Sequence, residues 1–308
     1  MTQTDLLIIG AGPAGCSAAV YAARSGVKTV IAGGAMPGGQ LLQTNDIENY
    51  AGFINPVPGY ELMDNMHKQC KRLGVEITSD DIVKLEGDKP PFTLTAAGGK
   101  QYQALAVIIA AGASARWLGV KGEEKLKGHG VSACATCDGF FFKGKEVIVV
   151  GGGNTAFEDA LFLSQICPKV TLVHRREGFR ADAVTVEKVK NTPNISMMLN
   201  CVVEEVLGEE SVTGAVLRNV VSKDTVQVPC AGIFVAVGAV PQTAWLQGSS
   251  VELDPSGLVK VDAHQRTNID GIFAAGDCTE SEFRQAVVAA GSGAKAGISA
   301  AAFVNLHR

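Results

Sequence analysis

A surplus of positive charge is the first thing this 308-residue chain lacks: 27 Lys and Arg stand against 31 Asp and Glu, a formal net charge of -4. Without that surplus there is no electrostatic footing for nucleic acid or an anionic membrane. Also missing is any stretch approaching the ~18 uninterrupted apolar residues that a membrane helix requires. Thr2-Gln3-Thr4-Asp5 holds no basic region, and the apolar run from Leu6 stops at Gly10, so a strand is expected there rather than a signal peptide. Aromatic residues are few, at 6%, which argues against a sandwich. Close cysteine pairs are rarer still. Of eight cysteines, at 16, 70, 134, 137, 167, 201, 230 and 278, only 134 and 137 are near neighbours, unlike a disulfide-stapled secreted framework. A soluble, cytoplasmic protein is expected. In a reducing compartment its one close pair is a candidate for catalysis or metal binding.

What the chain has in abundance is glycine, 36 residues, against a usual share of about 7%. Its length predicts roughly two domains. Glycine marks their beginnings. A strand, Asp5 to Ile9, turns through Gly10-Ala11-Gly12-Pro13-Ala14-Gly15 into an alanine-rich helix to Ser25, and a second strand runs from Lys28 to Ala32. The order recurs at Glu146 to Val150, Gly151-Gly152-Gly153-Asn154-Thr155-Ala156, a helix to Ile166, and a strand Lys169 to Val173. Strand, glycine turn, helix and strand make the unit of a dinucleotide-binding sheet. Each module closes on a buried strand ending in Ala-x-Gly or Ala-Ala-Gly, at Ala106 to Gly112 and at Gly232 to Gly238. A third such strand, Gly271 to Asp277, follows after the second module has closed and is expected to return to the first. The predicted fold is therefore α/β, with two Rossmann-like domains, the second inserted into the first: 1–113 and 246–308 form one, 114–245 the other. Short joints near Gly112-Ala113-Ser114 and Pro241-Gln242-Thr243 read as hinges. The segments Thr93 to Leu105 and Val212 to Val228 alternate polar and apolar residues and predict a small antiparallel ribbon on each domain.

In Gly10-x-Gly12-x-x-Gly15 the first glycine permits a tight turn, the second lets a pyrophosphate approach, and the third lets helix and strand pack closely. The phosphates would sit at the helix N-terminus. The acid expected about twenty residues on is missing, for Ala32-Gly33-Gly34 stands at the strand end. The loop Gly33 to Gln40 is the nearest alternative for an adenosine, with a ligand-free glycine loop as the other reading. The second motif ends in Ala156, and its second strand runs into His174-Arg175-Arg176-Glu177-Gly178-Phe179-Arg180. An acid there would accept a 2'-hydroxyl; arginines attract a 2'-phosphate. The second nucleotide is expected to be NADPH, the alternative being a solvated basic face.

In "GVSACATCDGFF" the pair Cys134 and Cys137 is followed directly by Asp138. A zinc clip needs four ligands and this pair supplies two, with only His129 nearby. An inert buried pair or a redox pair remain, and two nucleotide sites beside a dithiol favour the second. Asp138 would oppose thiolate formation unless it carries the proton itself and shuttles it; otherwise Asp138-Gly139 is a turn.

The segments "GAGPAG", "PGGQL", "DIENYAGF", "ACATCDG", "GGGNTA", "HRREGFRAD" and "AGDCTESEFRQAVVAAGSG" make the chain resemble the low-molecular-weight thioredoxin reductases over essentially its full length. The resemblance implies FAD in the split domain and NADPH in the inserted one. It places the adenosine of FAD against the glycine loop with Gly33, Gly34, Gly38, Gly39, Gln40 and Leu41, and adds Asn49 and Gly112 to the flavin site. Asp277 resembles the residue that bonds the flavin ribityl chain, and Arg284-Gln285-Ala286 the turn near the isoalloxazine. Gly151, Gly153, Asn154, Thr155 and Ala156 with His174, Arg175, Arg176 and Arg180 would hold NADPH. Cys137 would face the flavin, Cys134 attack the disulfide of a thioredoxin, and Asp138 donate protons; no metal is implied, and family members usually form homodimers. Cys278 is expected to be packing and His129 a surface loop residue. Service to another carrier, glutaredoxin-like or of a peroxiredoxin system, and a non-enzymatic nucleotide or redox sensor are the competing readings.

Overall fold

The computed structural model describes residues 1–43, 46–280 and 282–308, and of Gln43 and Asp46 the backbone alone. Ser281, in the last of the segments quoted above, lies outside them. The chain divides into two compact units, Met1–Ser114 with Val240–Arg308, and Ala115–Ala239. The return to the first unit comes at Val240, ahead of the boundary expected at 246. The reason is packing: Thr243 is buried and its Oγ1 donates to the Gly257 carbonyl at 2.6 Å, while Leu246 lies in the first unit's core with Val251 and Ile269.

The first unit contains β1 (Thr2–Ile9), α1 (Pro13–Arg24), β2 (Thr29–Ala32), α2 (Gly59–Arg72), β3 (Glu76–Thr78), β4 (Ile82–Glu86), β5 (Phe92–Ala96) and β6 (Gln101–Ile109). Strands run in the order β3-β2-β1-β6, all parallel. The free edge of β6 is then shared: Gln101 to Ala104 pair with antiparallel β5, and Val107 to Ile109 pair in parallel with the strand Ile272–Ala274. Leu6 to Ile9 and Ala106 to Ile109 are apolar without interruption because helices and loops cover both faces of these central strands. β1 starts before Asp5, since Thr2 to Thr4 pair with Tyr102 to Ala104. α1 starts at Pro13 rather than Gly15, because the fixed φ of proline suits the first helical position.

The C-terminal helix, Ala286–His307, is long and apolar enough to cross a membrane by length and composition, with a mean hydropathy of 1.4 over its best window. This qualifies the expectation of no such segment: Lys295, Ser292 and Ser299 interrupt the run in sequence without lowering the average enough. Its small residues face α1. A Cβ on Gly293 would come within 2.1 Å of the Ala14 carbonyl oxygen, and one on Gly297 within 2.3 Å of that of Ala18. Ala296 and Ala300 are fully buried.

The second unit contains β7 (Val131–Ser132), α3 (Ala135–Asp138), β8 (Val147–Val150), α4 (Asn154–Ser164), β9 (Val170–His174), α5 (Ala183–Lys190), β10 (Ile195–Leu199), β11 (Cys201–Gly208), β12 (Val212–Asn219), β13 (Thr225–Pro229) and β14 (Gly232–Val235). One sheet is parallel in the order β7-β14-β8-β9-β10. The other is antiparallel, β11-β12-β13. Each expected two-stranded ribbon thus carries a third strand, β4 in the first unit and β11 in the second. Both added strands carry a register shift, at Ile82/Lys84 and at Val203/Glu205, and a bulge breaks the alternation by which a strand is read from sequence.

Candidate active site

The dithiol sits in the second unit at the end of β7. Cys134 is the residue before α3, a single helical turn that brings Cys137 back toward it, and the two form a disulfide with Cα atoms 5.3 Å apart. Asp138 closes that turn, its N–H donating to the Cys134 carbonyl at 3.1 Å. Ser132 ties the set together. Its hydroxyl donates to Asp138 Oδ2 at 2.5 Å and accepts the Cys134 N–H at 3.0 Å. Burial pushes the Asp138 carboxyl above its ordinary range, against the opposing Ser132 hydrogen bond. A carboxyl so placed takes up a proton more readily than an exposed one. Ser132 was not singled out in the sequence; its position two residues before Cys134 is the only signal it offers.

The first glycine turn is shaped by its own unit. Gly10 has φ +108°, and a Cβ there would lie 2.2 Å from the Ala110 carbonyl oxygen; one on Gly15 would lie 1.9 Å from that of Gly10. These two glycines are demanded by the chain. Gly12 is different: a Cβ there meets nothing within 4 Å, so the open side of the turn, at the N-terminus of α1, is where a pyrophosphate fits. The glycine loop beyond β2 is tied to the end of β3, with Gly33 N–H on the Thr78 carbonyl at 2.9 Å and Gly34 N–H on that of Asp80 at 3.1 Å. Gly38 has φ +136° and Gly39 φ +65°; Gln40 and Leu41 continue into a short 3-10 helix, with Leu41 packed on the core beside Met66. Asn49 Nδ2 donates to Gln285 Oε1 at 3.0 Å, which joins that region to the residue before the C-terminal helix. Gly112, at φ +72°, accepts the Gln242 N–H at 2.9 Å.

Asp277 lies in the short turn Gly276–Cys278, with its carboxyl pushed up by burial and opposed by Arg284. Arg284 Nε is buried without a hydrogen-bond partner among the described residues. A buried orphan donor near a half-buried acid fits a polar cofactor. Cys278 is fully buried and donates to the carbonyls of Ala275 and Ile109 at 3.3 and 3.4 Å, a packing role. His129 is on the surface, as a loop residue.

The second glycine turn repeats the first. A Cβ on Gly151 would lie 2.4 Å from the Ala236 carbonyl oxygen, while Gly153, preceding α4, has nothing within 4 Å of one. Ala156 is buried against Gly151, and Thr155 is exposed at the start of α4. The end of β9 carries no acid. Arg175, Arg176 and Arg180 are exposed, and none has an ion-pair partner among the described residues. The acid among them, Glu177, accepts a hydrogen bond from Asn200 Nδ2 at 3.1 Å. His174 Nε2 donates to the Gly178 carbonyl at 3.1 Å. Burial and the flanking arginines push the pKa of this ring down, against that hydrogen bond.

A family model described as pyridine nucleotide-disulphide oxidoreductase matches residues 4–293. A thioredoxin reductase of Rickettsia conorii is 45% identical over 98% of each chain, and one of Mycolicibacterium smegmatis is 44% identical over 97% of this chain and 96% of that one. Among solved structures, thioredoxin reductase from Giardia duodenalis superposes with a TM-score of 0.93 at 38% identity, over 99% of this chain and 100% of that one. With a dithiol and two dinucleotide turns already in place, the chain belongs to the pyridine nucleotide-disulphide oxidoreductases, among the low-molecular-weight thioredoxin reductases.

Proposed function

We propose that the chain is an NADPH-dependent flavoprotein that reduces the disulfide of thioredoxin. The observation that carries this reading is the Cys134–Cys137 disulfide, held with the half-buried Asp138 on the unit that also bears the second dinucleotide turn. FAD is assigned to the first unit, at Gly10, Gly12 and Gly15, the loop of Gly33 to Leu41, Asn49, Gly112, Asp277 and Arg284 to Ala286. NADPH is assigned to the second, at Gly151 to Ala156 and the arginine loop. When bound, these groups supply hydride chemistry and the two electrons that open the Cys134–Cys137 bond.

The residues do the rest. In the reduced dithiol, Cys134 attacks a sulfur of the partner disulfide as the thiolate; a Cys134–partner bond forms, the partner's bond breaks, and its second sulfur leaves as a thiolate that takes a proton. Cys137 then attacks Cys134, which restores the internal disulfide and releases the partner as a dithiol. Asp138 holds the proton that these sulfurs exchange. Phe140 and Phe141, directly after the dithiol, are 58% and 40% exposed, an apolar surface suited to a protein substrate. A cytoplasmic homodimer completes the reading. Its test is a visible spectrum of the purified protein with FAD, before and after anaerobic NADPH, followed by NADPH oxidation with and without oxidised thioredoxin. Flavin bands that bleach, and oxidation that needs thioredoxin, are expected. A colourless protein that takes up no FAD, or oxidation indifferent to thioredoxin, would overturn it.

The raised pKa of Asp138 has a direction that can be checked. Its acid role needs the protonated form, so the rate of disulfide reduction in single turnovers should fall as pH rises through a value above the ordinary carboxylate range. Ser132→Ala removes the bond that favours the carboxylate and should move that limb to higher pH. Asp138→Asn should abolish the limb and slow the step. Stability follows the same sign: a carboxyl raised in the fold contributes most below its unfolded pKa and loses that contribution as pH rises through the folded one.

A further inference from the structure

We propose that Asp182 and Asn154 form a clasp that holds the arginine loop against the second glycine turn, which makes Asp182 a positioning residue for selection of the 2'-phosphorylated dinucleotide. The proposal rests on the second unit's being the NADPH site. Asp182 N–H donates to Asn154 Oδ1 at 2.8 Å, and Asn154 Nδ2 returns a bond to Asp182 Oδ2 at 3.0 Å. Asn154 is the first residue of α4, directly after Gly153, and Asp182 directly precedes α5. One reciprocal pair therefore joins the two ends of the cofactor surface, the turn for the pyrophosphate and the loop for the 2'-phosphate.

Two other contacts point the same way. Arg180 N–H donates to the Gly152 carbonyl at 2.8 Å. The ring of His174 lies over Gly152, where a Cβ would come within 2.1 Å of it, and Phe179 wedges between His174 and Phe157 with ring centroids 5.6 and 4.9 Å away. This gives the middle glycine of the turn a role the motif does not: Gly152 makes room for His174 rather than for a ligand. The three arginines, with no ion-pair partner among the described residues, are placed by the backbone of the loop that carries them. An unfastened loop would have to be ordered by the cofactor, at a cost in affinity.

Asp182 is also an acid two residues after Arg180, and this makes the clasp testable. If its charge alone mattered, removing it would strengthen binding of a phosphate. If the clasp matters, removing it weakens that binding. The carboxylate makes no side-chain cap bond to α5, so its loss does not uncap that helix. The experiment measures equilibrium binding of NADP+ and NAD+ to the holoenzyme, with KM and kcat for NADPH, in Asp182→Ala and Asp182→Asn. Asp182→Asn keeps an acceptor for Asn154 Nδ2, which Asp182→Ala removes. Asp182→Ala should weaken NADP+ about tenfold, the scale of one charge-assisted bond, with KM raised, kcat kept and NAD+ little changed. Asp182→Asn should stay close to the parent. NADP+ binding by Asp182→Ala as tight as the parent's or tighter would overturn the proposal, as would equal loss of both dinucleotides in Asp182→Ala. A parent protein that bound neither dinucleotide would instead sink the reading on which it rests, and the clasp with it.

Discussion

Cys134→Ser and Cys137→Ser are each expected to lower thioredoxin-dependent NADPH oxidation on the order of 10³-fold or more, as loss of a nucleophile does, while FAD stays bound. Two sulfurs are needed to store two electrons as a dithiol. No other thiol can substitute, because the six remaining cysteines are all buried and unpaired. FAD retention is expected because neither residue belongs to the first unit, where the flavin is assigned. The crosslink spans a sequence separation of three, so its removal releases little loop entropy and the fold should survive. The two variants also separate the roles of the sulfurs. Cys137→Ser leaves the attacking thiol without its resolving partner, so a stable mixed disulfide with oxidised thioredoxin should accumulate on a non-reducing gel. Cys134→Ser should trap none. Trapping by Cys134→Ser instead would exchange the two assignments, and near-normal turnover in either variant would remove the pair from the mechanism.

Replacing Arg175 and Arg176 together by Ala should weaken NADPH by on the order of 10²-fold or more, each charge-assisted bond to the 2'-phosphate contributing about 1.5 to 3 kcal/mol and ~1.4 kcal/mol being tenfold. NADH, which lacks that phosphate, should change little. The contrast is clean because neither arginine has an ion-pair partner among the described residues, so no carboxylate is stranded by its removal. Both are exposed, and the melting temperature should stay near the parent's. Titration of each dinucleotide, at low and at physiological salt, is the measurement. Equal weakening of both would show that these arginines hold something other than the 2'-phosphate.

Much of this was legible in the residues because the chemistry is local. Gly10 and Gly151 abut the carbonyls of Ala110 and Ala236, so each glycine turn packs on the strand end that closes its own module. The separation of Cys134 and Cys137 suits one helical turn, and the basic run after Val173 could be read at a strand end without coordinates. Where reading failed, a regular period was broken. β4 and β11 are bulged, and the composition of the C-terminal helix is apolar on average although its sequence is interrupted.

The sequence by itself determined the α/β class, the insertion of one dinucleotide module into another and the identity of the redox pair, since each is written in residues that are neighbours along the chain. Tertiary structure alone decided what distant residues do to one another. It brought Ser132 onto Asp138 and withdrew that carboxyl from water, which raises its pKa. It joined Asn154 to Asp182 across 28 positions, left the donor of Arg284 without a partner among the described residues, and set Gly293 and Gly297 against α1. The physical reason is range. Backbone conformation and turn geometry follow from adjacent residues, whereas desolvation, a side-chain clasp and a helix crossing depend on which surfaces meet after folding, and no spacing in the chain records that.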